Sequence, residues 1–176
     1  MEAMDTLPLT ATTDICDANA NLLLSGELRA LQPIFQIYGK RKAFAGPIVT
    51  LKVFEDNGLV HKTVVEKGNG RVLVIDGGGS MRCANIGGRL TNKAQSNGWA
   101  GIVVYGYIRD VDDINCCDIG VRALNSCPVR PGKKGTGEKH APLTIAGAKI
   151  YDGEWLYADN DGIIVASKEL TVTSQN

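Results

Sequence analysis

The sequence predicts an α/β fold with a central βαβ unit. Residues 71–76 form a continuous run of β-branched and apolar side chains, and residues 101–105 form a second one. Between them, residues 89–97 have helical spacing, with Leu90 and Ala94 four positions apart. A strand, a helix and a strand within about 35 residues make a crossover, so we expect the two strands to be parallel neighbours.

The other elements follow the punctuation of the chain, which contains 21 glycines. Residues 12–24 begin with capping residues and predict a helix. Residues 43–55 predict a strand, and residues 61–67 predict a short helix that Gly68 would end in a left-handed turn. Further on, the pattern indicates a strand or helical turn, a flexible loop and three closing β segments, at residues 118–124, 130–138, 143–150, 155–158 and 162–166. No repeat or linker divides the chain, so we expect residues 1–176 to form one domain.

Composition and charge exclude several classes of protein. The chain is 44% hydrophobic and 22% charged, as globular domains are. It carries 19 basic and 19 acidic residues, so it lacks the excess positive charge expected of a protein that binds nucleic acid or anionic membranes. No apolar run reaches the length of a bilayer span, and the N-terminus lacks a secretory pattern. Five cysteines without a Cys-x-x-Cys pair indicate reduced thiols, and we expect a cytoplasmic location.

Arg109 and Asp110 stand directly after the second central strand, at an edge where α/β proteins collect functional groups. An arginine can clamp a carboxylate through two parallel hydrogen bonds, and an aspartate is a hard oxygen ligand for Mg²⁺ or Mn²⁺. Neighbouring side chains of a strand point to opposite faces, so the pair can serve one ligand only if the chain has turned after Gly106. The alternative is a solvated acidic loop with a local ion pair.

Glycines also precede the central helix. Gly87 and Gly88 would let the backbone approach a ligand, and the first amides of the helix, through Arg89 and Leu90, would bind a small anion. The alternative is an ordinary flexible helix entry. Residues 77–80 fail the spacing of a phosphate loop and are better interpreted as a tight turn.

Three further groups have weaker signals. Asp76, at the end of the first central strand, could act as a proton relay or through a water. The basic residues Arg130, Lys133, Lys134 and Lys139 lack interleaved aromatic residues, so a solvated loop is favoured over a nucleic-acid site. Buried, inert thiols are the default interpretation of residues 116 and 117.

Taken together, Gly88, Arg109, Asp110 and Asp113 form the pattern Gly-x20-Arg-Asp-x2-Asp. This pattern resembles the signature of the metal-dependent 4-hydroxy-4-methyl-2-oxoglutarate aldolases, which share a fold with RraA, the regulator of ribonuclease E activity A. The resemblance spans nearly the whole chain. Several segments are especially similar to the regulator branch, namely residues 54–59, 70–80, 105–106, 111–113, 118–120 and 157–160.

The resemblance implies a swivelling β/β/α type of domain that forms a ring-like homotrimer with sites near subunit interfaces. It implies a divalent metal, Mg²⁺ or Mn²⁺, held largely through water and by Asp110. Arg109 would hold the pyruvyl part of a small 2-oxo acid, and the backbone of Gly87, Gly88, Arg89 and Leu90 would cradle the substrate carboxylate. In longer relatives the resemblance implies a further acidic residue, which a neighbouring subunit contributes to the site.

The resemblance also implies the reaction. A class II aldolase of this kind cleaves 4-hydroxy-4-methyl-2-oxoglutarate, and related 4-hydroxy-2-oxo acids, to pyruvate through an enolate, with oxaloacetate decarboxylation as a secondary activity. The alternative is a non-catalytic, protein-binding inhibitor of an endoribonuclease. The presence of Asp110 favours the enzyme, because a carboxylate at this position can bind a metal.

Overall fold

The computed structural model describes residues 9–171. In this range the chain forms five short helices and twelve strands. In order they are α1 (Thr12–Ala18), α2 (Ala20–Ser25), β1 (Leu28–Ala30), β2 (Gln36–Tyr38), β3 (Phe44–Lys52), α3 (Gly58–Val64), β4 (Val72–Asp76), β5 (Ala84–Ile86), α4 (Gly88–Ser96), β6 (Gly101–Ile108), α5 (Val111–Asn115), β7 (Gly120–Ser126), β8 (Glu138–Lys139), β9 (Leu143–Ile145), β10 (Ala148–Ile150), β11 (Trp155–Asp159) and β12 (Gly162–Ala166).

The main sheet has the strand order β1-β12-β11-β3-β4-β6-β7-β2, with β5 paired to β6 and β8 paired to β3. The four strands β3, β4, β6 and β7 run parallel to one another, and the outer strands are antiparallel. Strands β9 and β10 form a separate hairpin. The predicted βαβ unit is therefore confirmed: β4 and β6 are parallel neighbours joined through α4, with Val74 opposite Val103.

Apolar layers cover both faces of the central strands, as their continuous apolar sequences require. On one face, Leu73 and Val104 belong to a core that includes residues of α3, α4 and α5. On the other, Val74 and Val103 pack in a core that includes residues of β9, β10 and β11. The side chains of β4 from Val72 to Ile75 are fully buried. None of the helices within residues 9–171 is long and apolar enough to cross a membrane.

The main sheet curls. Eight strands laid flat would span about 34 Å at the usual strand spacing. Yet β1 and β2, at opposite ends of the order, are joined by residues 31–35 alone, which reach about 22 Å at most. The buried Arg122 of β7 ties the two ends together, because its Nη2 donates to the carbonyl of Asp159 on the β11–β12 hairpin at 3.3 Å and to that of Lys42. Burial lowers the pKa of Arg122 to about 10, so this guanidinium is charged at neutral pH.

The predicted N-terminal helix over residues 12–24 is interrupted. It divides into α1 and α2 at Asn19, whose backbone leaves the helical region and whose Nδ2 donates to the carbonyl of Ile15 at 2.9 Å. Amide side chains compete for backbone groups in this way, which is why asparagine disfavours helix interiors.

The helix predicted over residues 61–67 is displaced toward the N-terminus. It spans Gly58–Val64, and Gly68 is not its left-handed end. The left-handed turn falls instead at Asn69 and Gly70. Gly68 is needed for space, because a Cβ there would lie 2.3 Å from the amide nitrogen of Trp99.

Other boundaries differ less. The strand expected over residues 43–55 is the shorter β3, and residues 118–124 become the strand β7. The sequence did not predict β1, β2, β5, β8 or α5, and β8 begins at Glu138, inside the expected flexible loop. The closing β segments and the turn between Asp159 and Gly162 are confirmed.

Candidate active site

A cleft of about 830 Å³ opens at the carboxyl ends of the central strands. Its walls come from β5, the start of α4, the turn between β6 and α5, helix α3 with the residue before it, and the loop that follows β7. The residues that line it are Asn57, His61, Ala84, Ile86, Gly87, Arg89, Leu90, Arg109, Asp110, Asp113, Arg130, Pro131, Gly132 and Lys133.

A left-handed turn brings Arg109 and Asp110 into the same cleft. We expected a turn after Gly106, but strand β6 continues through Gly106 to Ile108. The chain turns at Asp110, whose φ of 61° and ψ of 48° lie in the left-handed region that aspartate tolerates better than most residues. The carbonyl of Asp110 then accepts from the amide of Ile114, which starts α5. The two side chains therefore do not diverge as they would along a strand.

Gly87 and Gly88, at the start of α4, make room for the carboxylates of Asp110 and Asp113. The amide of Gly88 donates to Oδ2 of Asp110 at 3.0 Å. A Cβ at Gly87 would lie 2.5 Å from that oxygen, and a Cβ at Gly88 would lie 2.8 Å from the Cβ of Asp113. The backbone at Gly87 is extended, so the requirement for glycine there is one of space.

The predicted cradle of amides is only partly free for a ligand. Because Gly88 already donates to Asp110, its amide holds the carboxylate in place. The amides of Arg89 and Leu90 lie in the first turn of α4, where an N–H has no helical partner, and no acceptor for them occurs within residues 9–171. These two amides lie at the positive end of the helix dipole and can bind an anion.

The residues present fit a hard divalent cation held largely through water. Oδ1 of Asp110 receives no hydrogen bond from any residue in the range 9–171, and Asp113 adds a second carboxylate to the same cleft. Mg²⁺ takes one or two protein carboxylates and keeps several waters. In the described part of the chain, no group of three or more His, Cys, Asp or Glu side chains could enclose a metal, so a closed zinc site does not fit.

The cleft is positively charged although the chain as a whole is neutral. Four cationic side chains line it (Arg89, Arg109, Arg130 and Lys133) against the two carboxylates Asp110 and Asp113. Low-dielectric walls around charges of one sign focus the field, so this cleft favours a small anion with more than one negative charge.

Four polar or charged residues that line the cleft were not predicted as site residues: Asn57, His61, Arg130 and Lys133. Arg130 and Lys133 are exposed on the loop after β7, in agreement with the predicted solvated loop, and both also line the cleft. Their loop is fastened by backbone hydrogen bonds, among them one from the amide of Gly132 to the carbonyl of Glu55 at 2.9 Å. Lys139 departs from the prediction, because it lies in strand β8 and pairs with Glu66 in a half-exposed ion pair.

His61 is half-buried on α3 and faces two lysines. Burial lowers the pKa of this imidazole below its ordinary value of 6.5, and the charges of Lys133 and Lys93 lower the pKa further. His61 is therefore neutral at pH 7 and can accept a proton.

Asp76 and the cysteines lie outside this cleft. Asp76 lines a separate pocket of about 350 Å³ with Lys52 and Phe54, and its Oδ1 accepts from the amide of Gly78 at 2.8 Å. Residues 77–80 form the expected tight turn, with Gly78 and Gly79 left-handed. All five cysteines are free thiols, in agreement with the prediction; Cys117 is buried, but Cys116 is exposed rather than buried.

Comparison with known proteins identifies the family. The model of the RraA-like family, described as Aldolase/RraA, matches residues 12–165. The chain belongs to this family. It is 64% identical over 166 residues to an Arabidopsis thaliana protein provisionally named 4-hydroxy-4-methyl-2-oxoglutarate aldolase 2, covering 94% of this chain and 100% of the relative. A Burkholderia multivorans protein with a similar provisional name is 52% identical over 161 residues, covering 92% and 98%.

Solved structures of RraA-like proteins share the fold. The RNA-processing inhibitor RraA from Thermus thermophilus superposes with a TM-score of 0.88 at 40% identity, covering 95% of this chain and 98% of that one. This match confirms the predicted α/β class and the fold that the family resemblance implies.

Proposed function

We propose that this RraA-like chain is a divalent-metal-dependent class II aldolase that cleaves 4-hydroxy-4-methyl-2-oxoglutarate, and related 4-hydroxy-2-oxo acids, to pyruvate. One observation carries the proposal: the turn at Asp110 places a guanidinium and a carboxylate in one basic cleft, beside the free amides of α4. The provisional names of the Arabidopsis and Burkholderia relatives support the same reaction.

The charge of the cleft matches the substrate, which has a carboxylate at each end. Arg109 is placed to hold the 2-oxo acid end through two parallel hydrogen bonds, and the amides of Arg89 and Leu90 would receive its carboxylate. Arg130 and Lys133, on the loop after β7, would bind the distal carboxylate.

Cleavage breaks the bond between C3 and C4. The electron pair moves toward the 2-oxo oxygen and forms the enolate of pyruvate, while C4 becomes the carbonyl carbon of a second pyruvate. The guanidinium of Arg109 stabilises the developing oxyanion, and this interaction strengthens as charge accumulates. When bound at Asp110 and its waters, Mg²⁺ or Mn²⁺ supplies Lewis-acid stabilisation of the same charge.

The hydroxyl on C4 must lose its proton during cleavage. Two groups of this chain can accept it in the cleft: the carboxylate of Asp113 and the imidazole of His61, which is neutral at pH 7. Oxaloacetate decarboxylation passes through the same enolate, with CO₂ as the leaving group, and it requires no base at C4. We therefore include it as the secondary activity.

The assembly and the location form part of the proposal. A homotrimer with sites near its interfaces would let a neighbouring subunit contribute an acidic group to the cleft. Five free thiols are consistent with a cytoplasmic enzyme.

A coupled assay of pyruvate release tests the proposal. Purified protein should release pyruvate from 4-hydroxy-4-methyl-2-oxoglutarate in the presence of Mg²⁺ or Mn²⁺. This release should stop when a chelator is added. Asp110→Asn should match the chelated wild type. Asp112→Asn is the matched control, because Asp112 is an exposed neighbour outside the cleft, and it should keep full activity. Pyruvate release that survives the chelator, or Asp110→Asn at the wild-type rate, would contradict the proposal.

The similarity to the Thermus thermophilus RNA-processing inhibitor favours one other function, binding to an endoribonuclease. Direct, salt-tolerant binding to such an enzyme would support it. If binding persists in Asp110→Asn while pyruvate release is lost, the chain has both functions. If the wild type binds but releases no pyruvate, inhibition of RNA processing is the better explanation.

A further inference from the structure

Asp56 is a buried carboxylate that forms no ion pair with any residue in the range 9–171. Its side chain lies just before α3 and is only 4% exposed. Three backbone amides donate to it: Gly58 at 3.0 Å and Gly135 at 2.9 Å to Oδ1, and Lys134 at 2.5 Å to Oδ2. Burial acts to raise the pKa of Asp56, but these three amides, together with the nearby amide of Thr136, outweigh it, and the pKa is lowered. The group therefore remains ionised inside the protein.

Two of these amides belong to the loop after β7, 78 and 79 residues away in the chain. The same loop is held by backbone bonds on either side of Asp56. The amide of Gly132 donates to the carbonyl of Glu55 at 2.9 Å, and the amide of Asn57 donates to the carbonyl of Gly132 at 3.0 Å. Residues 55–57 therefore grip the loop from Gly132 to Gly135.

This grip places Lys133 between two anchored positions. Gly132 and Lys134 are both fastened to residues 55–57, while the side chain of Lys133 lines the cleft with Arg130. The grip also reaches the opposite wall, because Nδ2 of Asn57 donates to the carbonyl of Asn85 in β5 at 3.2 Å. A cationic group held at a fixed distance from Arg109 binds best a dianion whose two charges have the matching separation.

We infer that Asp56 is a positioning residue that gives the cleft its preference for 2-oxo acids with a second carboxylate. The inference rests on the proposed function for the binding roles of Arg109 and Lys133, but it concerns how the loop is held. Asp56 itself does not line the cleft and touches no substrate. Its loss should therefore weaken the binding of the distal carboxylate and leave the binding of the pyruvyl end intact.

Binding of two probes separates this role from a purely structural one. Pyruvate has one carboxylate, and 2-oxoglutarate adds a distal one. Each probe is titrated in the presence of Mg²⁺. Asp56→Asn should lower the affinity for 2-oxoglutarate about tenfold and the affinity for pyruvate less than about twofold, because only one charged contact is misplaced. Lys133→Gln should give the same selective loss, and the double variant should lose little more than either single variant.

Asp159→Asn is the matched control. Asp159 also accepts from backbone amides, those of Thr12 and Asp161, but it lies on the β11–β12 hairpin outside the cleft. It should leave the binding of both probes unchanged. Equal weakening of pyruvate and 2-oxoglutarate in Asp56→Asn, or a wild type that binds the two equally, would overturn the inference.

Amide hydrogen exchange tests the anchor without any ligand or variant. In the wild-type chain the amides of Lys134 and Gly135 should exchange at least about tenfold more slowly than that of Lys133, for which no acceptor occurs within residues 9–171. Exchange at the rate of Lys133 would overturn the anchor even if Asp56→Asn does not fold. If the wild type fails to cleave any 2-oxo acid but passes both tests, the proposed reaction is wrong and the role of Asp56 stands.

Discussion

Arg109 is the side chain on which the proposed chemistry depends most directly. A lysine at this position keeps the charge but lacks the planar fork that binds a carboxylate in two places. We expect Arg109→Lys to lower kcat by about 10²-fold or more, the cost of removing one donor from an oxyanion site. Arg41→Lys, in an exposed pair with Asp118, should have no effect. Steady-state kinetics of pyruvate release measure both, and near-normal kinetics for Arg109→Lys would contradict the clamp.

His61 offers a test by titration. Its imidazole should titrate below pH 6.5, and Lys133→Gln should raise the midpoint, though not to 6.5, because burial is the larger cause of the shift. The folded chain binds this proton more weakly than the unfolded chain. Its contribution to the free energy of unfolding is therefore complete above pH 6.5 and is lost as the pH falls through the lowered pKa. NMR of the imidazole protons, assigned with His61→Gln, gives the midpoint; one at or above 6.5 in the wild type contradicts the burial.

The residues of the site differ in how far the sequence could predict them. Arg109 and Asp110 are neighbours in the chain, so a short motif brings them together. Lys133 reaches the same cleft because its loop is fastened to residues 55–57, among other bonds by the one from the amide of Lys134 to Asp56, 78 residues away. No local pattern predicts such a contact, and the basic residues of this loop have the composition of a solvated segment.

At the level of elements, the start of α4 is shaped by the turn between β6 and α5. A methyl group at Gly87 would meet Oδ2 of Asp110 at 2.5 Å, and the carboxylate would have to move. Gly87→Ala should therefore lower metal affinity and pyruvate release at least about tenfold, as displacement of a metal-supporting group does. Its extended backbone accepts alanine, so Tm should stay within about 4 °C.

The control for Gly87→Ala is Asn92→Ala, an exposed position on the same helix. It should leave the metal titration and the assay unchanged. A Gly87→Ala protein with normal metal affinity would show that the carboxylate tolerates the methyl group.

The elements that the sequence predicted well are those with one strong local cause. Continuous apolar runs predicted β4 and β6, and the four-residue spacing of Leu90 and Ala94 predicted α4. The end of β6 could not be predicted, because a glycine such as Gly106 usually ends a strand, whereas here the strand continues to Ile108. A Cβ at Gly106 would lie 2.2 Å from Oδ1 of Asn85, so this glycine makes room for β5, a neighbour that no local pattern had indicated.

For the whole molecule, the proposed trimer needs a surface. Phe54 is 61% exposed and lies beside the turn at Gly78. Met81, which follows that turn, and Val129, whose carbonyl accepts from the amide of Ala84 in β5, are also largely exposed. Exposed large apolar side chains of this kind are candidates for a contact surface between copies of the chain. We expect light scattering to give three times the chain mass of 18.8 kDa and Phe54→Lys to lower it. Leu24→Lys, at a 91% exposed position on α2, should not. A wild-type monomer would contradict the trimer.

The curl of the main sheet bears on how copies of the chain can meet. Its outermost strands, β1 and β2, have three residues each and are joined by residues 31–35 alone. Such short edge strands expose few unpaired backbone N–H and C=O groups with which a further strand could pair, so fibre-like growth by strand addition is disfavoured. Association must then use side-chain contacts, which can close into a finite ring.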